Sequence, residues 1–362
     1  MATTQNNFDL LRLLAALQVA VHHSLAHLAV PHDWPVLRLT EWLPGVPIFF
    51  FLSGFLISAS YERNSSLPEY ASNRVLRIYP ALIACLVVSV ALTWSTGYFG
   101  TIDLRWSQVA LWLLAQLSFL QFHNPEFLRD YGVGALNGSL WTIVVELQFY
   151  VLVPIIYGML RLRASSARTA NALLSVVILM FLAISQGYFA SAARYADETW
   201  FKLLGVSFVP WFYMFLVGVL AQRNFALLQR WLAGRWSLVA LGYIGLALLA
   251  DTVLGWSFGN ALHPLLFLAL AGLIVASAIT RPWLSDRLLG RNDFSYGIYI
   301  YHMPVVNFWL AEGWGGTTGS FATVLAATVL LAVLSWLLVE RPALRLKRHP
   351  LYQHAVSPQV GS

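Results

Sequence analysis

Three ionisable side chains stand inside apolar stretches of the sequence, where few such side chains occur. His23 lies in the first apolar stretch, Glu146 lies in the segment Asn137–Tyr150, and His302 ends the Tyr-rich segment Ser295–His302. An ionisable group in a membrane-embedded helix is costly, so each of these residues is a candidate for function. A neutral imidazole, whose ordinary pKa is about 6.5, accepts a hydroxyl proton and returns it to a leaving group. The histidines therefore suit acid–base chemistry.

Glu146 is the candidate partner of His23. If their two helices run in opposite directions, both side chains lie at compatible depths. A carboxylate beside an imidazole fixes its tautomer and stabilises the imidazolium that forms during proton transfer. We therefore predict His23 and Glu146 as catalytic residues. The alternative is that each forms a structural hydrogen bond with another buried polar group.

Arg12, Arg74 and Arg77 are candidates for binding an anion. Arg74 and Arg77 are three residues apart in Asn73–Pro80, at the predicted start of the third apolar helix, and share roughly one helix face. Guanidinium groups bind phosphate well because their planar fork holds two oxygens at once. Arg12 is predicted at the same membrane surface. The alternative is that the pair only marks the cytoplasmic end of a helix.

Trp141, Ser53, Tyr299 and His302 are candidates for contact with a substrate, and each also has an interpretation as a packing residue. Ser53 lacks a surrounding Gly-x-Ser-x-Gly motif, so a serine nucleophile is not predicted. The small residues of Gly45–Phe55 instead predict a kink or a close approach of two helices.

The composition indicates what must position these residues. Of the 362 residues, 59% are hydrophobic and 10% are charged, against about 25% charged in a typical soluble domain. A spanning helix needs roughly 17–25 predominantly apolar residues. Ten stretches meet this need: Phe8–Val30, Gly45–Tyr61, Ile78–Gly97, Ser139–Leu160, Ala170–Ala190, Gly205–Ala221, Ser237–Val253, Ala261–Thr280, Phe294–Ala311 and Gly319–Val339.

This pattern predicts an all-α fold, a polytopic transmembrane bundle of about ten spanning helices. A shorter stretch, Val109–Phe122, contains Gln116 and predicts an extra re-entrant or interfacial helix, or an eleventh span. With ten spans, the loops Arg161–Arg168, Arg223–Arg235 and Arg281–Arg291 share one face, which the positive-inside rule makes cytoplasmic. Both termini are then predicted in the cytoplasm, and the chain in the inner membrane. An eleven-span arrangement fits the charges only slightly less well.

We expect one membrane domain, residues 1–348, followed by a short cytoplasmic tail, residues 349–362. Cys85 is the only cysteine, which excludes an intramolecular disulfide and a Cys-based metal site. Motifs for nucleotide binding or zinc proteolysis do not occur. We predict no metal and no tightly bound cofactor. The net charge of +6 does not predict nucleic-acid binding, because the basic residues fall in short loops where topology requires them.

Six short segments occur in a defined order along the chain: Asn7–Arg12 with His23, Phe49–Phe55, Arg74–Arg77, Ser139–Glu146, Ser295–His302 and Glu340–Ala343. Together they resemble the motifs of the acyltransferase-3 family of integral membrane proteins. Each segment is weak evidence alone, but their joint order covers nearly the whole chain.

The resemblance implies a membrane O-acyltransferase that moves an acetyl group from acetyl-CoA, reached from the cytoplasm, to a hydroxyl of an extracytoplasmic or lipid-linked carbohydrate. Acceptors in the family include lipopolysaccharide O-antigen, exopolysaccharide and peptidoglycan. The expected partners are acyl-CoA, a carbohydrate acceptor and membrane lipid. Arg12, Arg74 and Arg77 would hold the CoA phosphates. His23, oriented by Glu146, would deprotonate the acceptor or carry the acyl group itself.

The main alternative is a proton-coupled secondary transporter that uses His23 and Glu146 as a proton relay. Inverted repeats would favour a transporter, and the sequence has no visible repeat. A scaffold or sensor without turnover is a third possibility, but it leaves the ordered polar motifs without a use. Binding of acyl-CoA distinguishes the enzyme from both.

Overall fold

The computed structural model describes residues 6–31, 34, 37, 40–63 and 66–346 of the chain. All regular structure in these ranges is helical, and they contain no β-strand. The predicted tail, residues 349–362, lies outside the described residues.

Each of the ten predicted apolar stretches contains a helix in the structure. Numbered along the chain, the helices of the described ranges are α1 Phe8–His27, α2 Gly45–Arg63, α3 Leu67–Ser95, α4 Trp106–Gln116, α5 Trp141–Met159, α6 Ala167–Tyr195, α7 Thr199–Gly205, α8 Phe212–Arg223, α9 Phe225–Leu232, α10 Trp236–Leu249, α11 Pro264–Ile279, α12 Leu284–Leu289, α13 Ser295–Ala311, α14 Thr318–Ser335 and α15 Arg341–Arg345. Short π-helical segments extend α10 and α14.

Several of these segments are long and apolar enough to cross a membrane. By length and composition, six of the described segments qualify: Gly45–Arg63, Leu67–Ser95, Gly138–Met159, Ala167–Tyr195, Trp236–Leu254 and Thr318–Arg345. The helices α8 and α11 are apolar but shorter. The predicted class, an all-α multi-pass membrane bundle, is confirmed.

The third helix begins earlier than the hydropathy predicts. It starts at Leu67, with Pro68 in its first turn, and not at Ile78. Proline is well tolerated there because the first N–H groups of a helix have no partner within the helix. Arg74 and Arg77 consequently lie inside α3 and not at its start.

The short helix α4 covers part of Val109–Phe122, the stretch predicted as a re-entrant helix, an interfacial helix or an eleventh span. Its 11 residues extend about 16 Å, far less than the roughly 30 Å of a hydrocarbon core. The helix ends at Gln116, whose side-chain amide donates hydrogen bonds to the carbonyls of Gln121 at 3.2 Å and His123 at 3.3 Å. This stretch therefore does not cross the membrane as one continuous helix.

The chain forms two compact units, each assembled from separate segments. The first unit comprises Met1–Gln18, Trp34–Arg63 and Val145–Asn292, and the second comprises Val19–Asp33, Asn64–Val144 and Asp293–Ser362. Each functional candidate belongs to one of these units, so the units are described separately below.

Glycines allow two helices of the first unit to approach closely. A Cβ atom added to Gly54 in α2 would come within 1.9 Å of the Phe215 carbonyl oxygen, and one added to Gly218 in α8 within 2.1 Å of the Phe51 carbonyl oxygen. No side chain fits at such distances, so α2 and α8 touch backbone to backbone. The close helix approach predicted for Gly45–Phe55 is confirmed.

Candidate active site

His23 and His302 form a hydrogen-bonded pair in the second unit. Nδ1 of His23, on α1, lies 2.9 Å from Nε2 of His302, on α13. The ring centroids are 5.1 Å apart, and the His302 side chain is fully buried. A bond between two imidazole nitrogens needs a proton on one and a lone pair on the other. His302 is therefore positioned to fix the tautomer of His23, one of the two roles predicted for Glu146.

Tyr299 supports this pair from behind. Its ring packs edge-on against the His302 ring with centroids 5.9 Å apart. Its hydroxyl shares a 2.6 Å hydrogen bond with Thr142 Oγ1 and donates to the Ser139 carbonyl at 3.3 Å. Only 4% of Tyr299 is exposed. These contacts favour a role in holding His302 over the predicted contact with a substrate.

A proline shapes the helix that carries His302. Pro304 lies inside α13, and proline has no N–H to give to the carbonyl four residues before it, that of Ile300. The Ile300 carbonyl instead accepts hydrogen bonds from Asn137 Nδ2 at 2.8 Å and from Cys85 Sγ at 3.3 Å. Cys85 and Asn137 thus tie α3 and the start of α5 to the middle of α13.

Asn307 ties a loop to the same helix. Its buried side chain accepts a hydrogen bond from the Val133 N–H at 2.8 Å and donates to the Ala135 and Leu136 carbonyls, both at 2.9 Å. Sequence reasoning missed Asn137 and Asn307. The sequence contained a signal for both, because a polar amide in or beside an apolar helix needs hydrogen-bond partners.

Arg77 is neutralised by carboxylates within the second unit. Its guanidinium forms an ion pair with Asp293, and one of its nitrogens lies 3.9 Å from Glu340 Oε2. Asp293 also accepts hydrogen bonds from the N–H and hydroxyl of Ser295 at the start of α13, and Glu340 accepts one from Ser335 at 3.1 Å. This arrangement favours a supporting role for Arg77. Asp293 was not singled out by the sequence analysis.

Arg74 has a different environment, one helical turn earlier on α3. It is half-buried, and its guanidinium lies over the Tyr70 ring, 5.9 Å from the ring centroid. Trp141, at the first position of α5, is also half-buried. The binding of an anion by Arg74 stays a prediction.

Glu146 belongs to the first unit, with Ser53 and Arg12. Its carboxylate accepts a hydrogen bond from Ser53 Oγ at 3.2 Å and another from the Tyr150 hydroxyl, one turn along α5. Ser53, predicted to contact a substrate, is thus a hydrogen-bond donor to Glu146. Arg12 is half-buried on α1. The predicted orientation of His23 by Glu146 involves one residue of each unit and stays a prediction.

A second polar network of the first unit was not predicted. Glu62 accepts hydrogen bonds from Tyr157 at 3.0 Å, Gln222 at 3.2 Å and Arg223 at 2.6 Å. Ser58 bonds both the Tyr157 hydroxyl and Gln222. The network joins α2, α5 and α8 at one end of these helices, and its groups satisfy one another, as expected of a structural clasp.

Metal ligation has no support among the described residues, because no three His, Cys, Asp or Glu side chains come together there. The chemistry that these side chains can perform is proton transfer at the histidine pair and anion binding at arginine.

The sequence of the chain also matches known proteins. Residues 5–340 match the sequence model of an acyltransferase domain, Acyl_transf_3. The chain is 33% identical to nodulation protein 10 of Rhizobium leguminosarum bv. viciae, over 95% of the chain and 94% of that protein. It is 25% identical to the O-acetyl transferase of Shigella phage Sf6, over 93% and 95% of the two chains. It is 28% identical to the exopolysaccharide production protein ExoZ of Rhizobium meliloti strain 1021, over 83% and 89%. No solved structure matches the chain significantly.

Proposed function

This chain belongs to the acyltransferase-3 family, and from that premise we propose that it transfers an acetyl group from acetyl-CoA to a hydroxyl of a cell-envelope carbohydrate. The match over residues 5–340 supports acyl transfer. The O-acetyl transferase of phage Sf6 supports an acetyl group on oxygen, and ExoZ supports a polysaccharide context. The acceptor is an extracytoplasmic or lipid-linked glycan such as O-antigen or exopolysaccharide.

The observation that carries the mechanism is the 2.9 Å hydrogen bond between His23 and His302. When His23 Nδ1 donates to His302, the lone pair of His23 Nε2 is available as a base. The acceptor hydroxyl gives its proton to Nε2, and its oxygen attacks the thioester carbonyl. The carbon–sulfur bond then breaks, and His23 returns the proton to the CoA thiolate.

A covalent route uses the same residue. Here His23 Nε2 attacks the thioester, the carbon–sulfur bond breaks, and CoA leaves as a thiolate. The acceptor hydroxyl then attacks the acyl-imidazolium, the carbon–nitrogen bond breaks, and the hydroxyl proton passes to Nε2 and from there to the thiolate. In both routes the imidazole gains positive charge, which the predicted Glu146 carboxylate would stabilise.

The CoA phosphates are assigned to arginine. We propose Arg12, Arg74 and Arg77 for the phosphates, as the sequence predicts, with Arg77 also paired to Asp293 at the start of α13. Trp141 stays a candidate for substrate contact. We also propose that the chain lies in the inner membrane with both termini in the cytoplasm, which the distribution of its basic loops supports.

The test is acetyl-CoA binding and turnover by the detergent-purified protein. We expect His23→Ala to lose transfer while CoA still binds, and Arg74→Ala to lose CoA affinity. His22→Ala, on the neighbouring position of the same helix, is the matched control and keeps both. Equal folded yield is checked by size-exclusion chromatography. If neither the wild type nor the control binds or consumes acetyl-CoA, the transporter interpretation, with His23 and Glu146 as a relay, replaces the enzyme.

A further inference from the structure

An apolar groove opens on the surface of the first unit, between α6, α8, α9 and α11. Its volume is about 480 Å³, within the roughly 300–1,000 Å³ of typical small-molecule sites. Most of its lining is hydrophobic, including Phe51, Val217, Leu228, Leu268 and Val275. The residues proposed for acetyl transfer do not line it.

The polar lining of the groove lies at one end. Asn171, near the start of α6, donates a 2.8 Å hydrogen bond to Asn224, just after the end of α8. Asn224 donates in turn to the Leu220 carbonyl at 2.8 Å, and Ser175 lies one turn beyond Asn171. Val217 lies seven residues before Asn224, so the apolar part continues about 10 Å along α8 from this polar mouth.

The helix α9 indicates how deep the mouth of the groove lies relative to the membrane. Leu228 and Leu232, one turn apart, both line the groove. Leu227 and Trp231 lie on an adjoining face of the helix and are 54% and 60% exposed. Arg230 is exposed on the polar face. A short helix with a lipid-facing Trp–Leu face and an exposed Arg is typical of the membrane–water interface. The mouth therefore lies at the membrane surface and the apolar part within the hydrocarbon.

The two chain segments that border the mouth contain basic residues and no acidic one. Arg168 is exposed about one turn before Asn171, and residues 161–175 and 221–236 contain no Asp or Glu. Arg223 is already paired with Glu62. Exposed arginines at a membrane surface attract anionic headgroups, each by about 1 kcal/mol.

We propose that this groove binds one anionic phospholipid, with an acyl chain along the apolar lining and the headgroup at Asn171 and Asn224, near Arg168. A polar, positively charged mouth above an apolar channel matches an anionic amphiphile and no water-soluble ligand. The groove is open at Gly272, where an added Cβ would meet no atom within 4 Å. The site is independent of acetyl transfer.

The test compares a side chain placed in the groove with one placed on lipid-facing surface. Gly272→Phe fills the groove, and Gly242→Phe is the matched control on α10, where an added Cβ also meets open space. Phosphatidylglycerol is quantified per protein chain by mass spectrometry after purification and after back-titration of delipidated protein. We expect the wild type and Gly242→Phe to retain it, and Gly272→Phe to fall to background.

A second pair of variants guards against misfolding. Leu228→Glu places a charge in the groove and loses the lipid, whereas Leu227→Glu, on the exposed face of the same helix, retains it. Arg168→Gln weakens phosphatidylglycerol binding about fivefold, the equivalent of one surface arginine. Equal retention by Gly272→Phe, Leu228→Glu and the wild type overturns the site. Equal binding of phosphatidylcholine and phosphatidylglycerol overturns the assignment of the headgroup.

Discussion

His23 forms a hydrogen bond with His302, a residue 279 positions away in the chain, and the acid–base chemistry that we propose depends on this bond. His302→Ala removes the group that fixes the His23 tautomer. We expect kcat for acetyl transfer to fall about 100-fold, the lower range for a positioned acid–base group, with little change in the KM for acetyl-CoA. Steady-state kinetics of purified protein measure both.

The control for this prediction is His302→Gln, whose side-chain amide can still accept or donate a hydrogen bond and should recover part of kcat. A His302→Ala enzyme with unchanged kcat would show that the histidine pair is only packing.

Arg74 and Arg77 should respond differently to the same substitution. Arg77→Ala leaves Asp293 and Glu340 buried without their cation, and we expect a loss of about 3 kcal/mol in the free energy of unfolding. Arg74→Ala should weaken CoA binding, because it removes a proposed ligand of the phosphates. Thermal unfolding and CoA titration of both variants test this difference.

The additional substitution Asp293→Asn should recover part of the stability lost in Arg77→Ala, because the carboxylate no longer needs a counterion. If Arg77→Ala is as stable as the wild type, the ion pair does not stabilise the fold.

The sequence predicted which ionisable side chains lie in apolar helices better than it predicted the residues that they contact. Hydropathy identified His23, Glu146 and His302 because ionisable groups are rare in apolar helices. It paired His23 with Glu146 from helix depth alone, whereas the neighbour that the structure brings to His23 Nδ1 is His302. Depth along a helix axis does not determine which side of the helix faces which neighbour.

Among the helices, the contact of α2 with α8 depends on glycine. Gly54→Ala places a methyl group against the Phe215 backbone, and we expect a loss of about 1–3 kcal/mol from overpacking. Gly242→Ala, on the open face of α10, is the matched control and should change stability little. Thermal unfolding in one detergent compares them, and equal melting temperatures would contradict the close packing.

The hydrogen bond from Asn137 to the Ile300 carbonyl should stabilise the fold because Pro304 cannot donate to that carbonyl. Asn137→Ala in the wild type removes a donor from a carbonyl that the helix cannot satisfy, costing about 1 kcal/mol. In a Pro304→Ala background the new N–H supplies that carbonyl, so the same substitution should cost less. A double-mutant cycle of unfolding free energies measures this coupling, and additivity within error would refute it.

Helix identities were predictable from apolar length, but helix ends were not. α8 begins at Phe212 and not at Gly205, because Pro210 restricts the residue before it and interrupts the helix. α3 begins at Leu67, before its apolar part, because a helix can extend into water beyond the membrane surface. Hydropathy measures the membrane-embedded part of a helix and not its full length.

For the whole molecule, topology can be tested with single thiols. The only native thiol, Cys85, is 2% exposed, so the wild type should give little background with a membrane-impermeant maleimide. With ten spans, Asp130→Cys should be labelled in intact cells and Arg63→Cys only after permeabilisation. Labelling of Arg63→Cys in intact cells would support eleven spans with an external N-terminus.

The composition predicted a membrane environment and an all-α fold, and the order of the motifs predicted the family. The division into two units was not predictable, because each unit gathers segments that are distant in sequence. Such assembly depends on which helix faces meet, and nearly uniform apolar stretches carry little information about that.

The attachment of Asn307 to its loop has a consequence for which loop positions can vary. Asn307 contacts only main-chain groups of Val133, Ala135 and Leu136. Every amino acid except proline at residue 133 offers the same N–H, so Val133 and Ala135 can change while these bonds remain. Gly132 cannot change, because an added Cβ would lie 2.0 Å from Asn307 Oδ1, and Leu136 is buried in the core. The anchorage beside the histidine helix thus decides which positions of the loop are open to substitution.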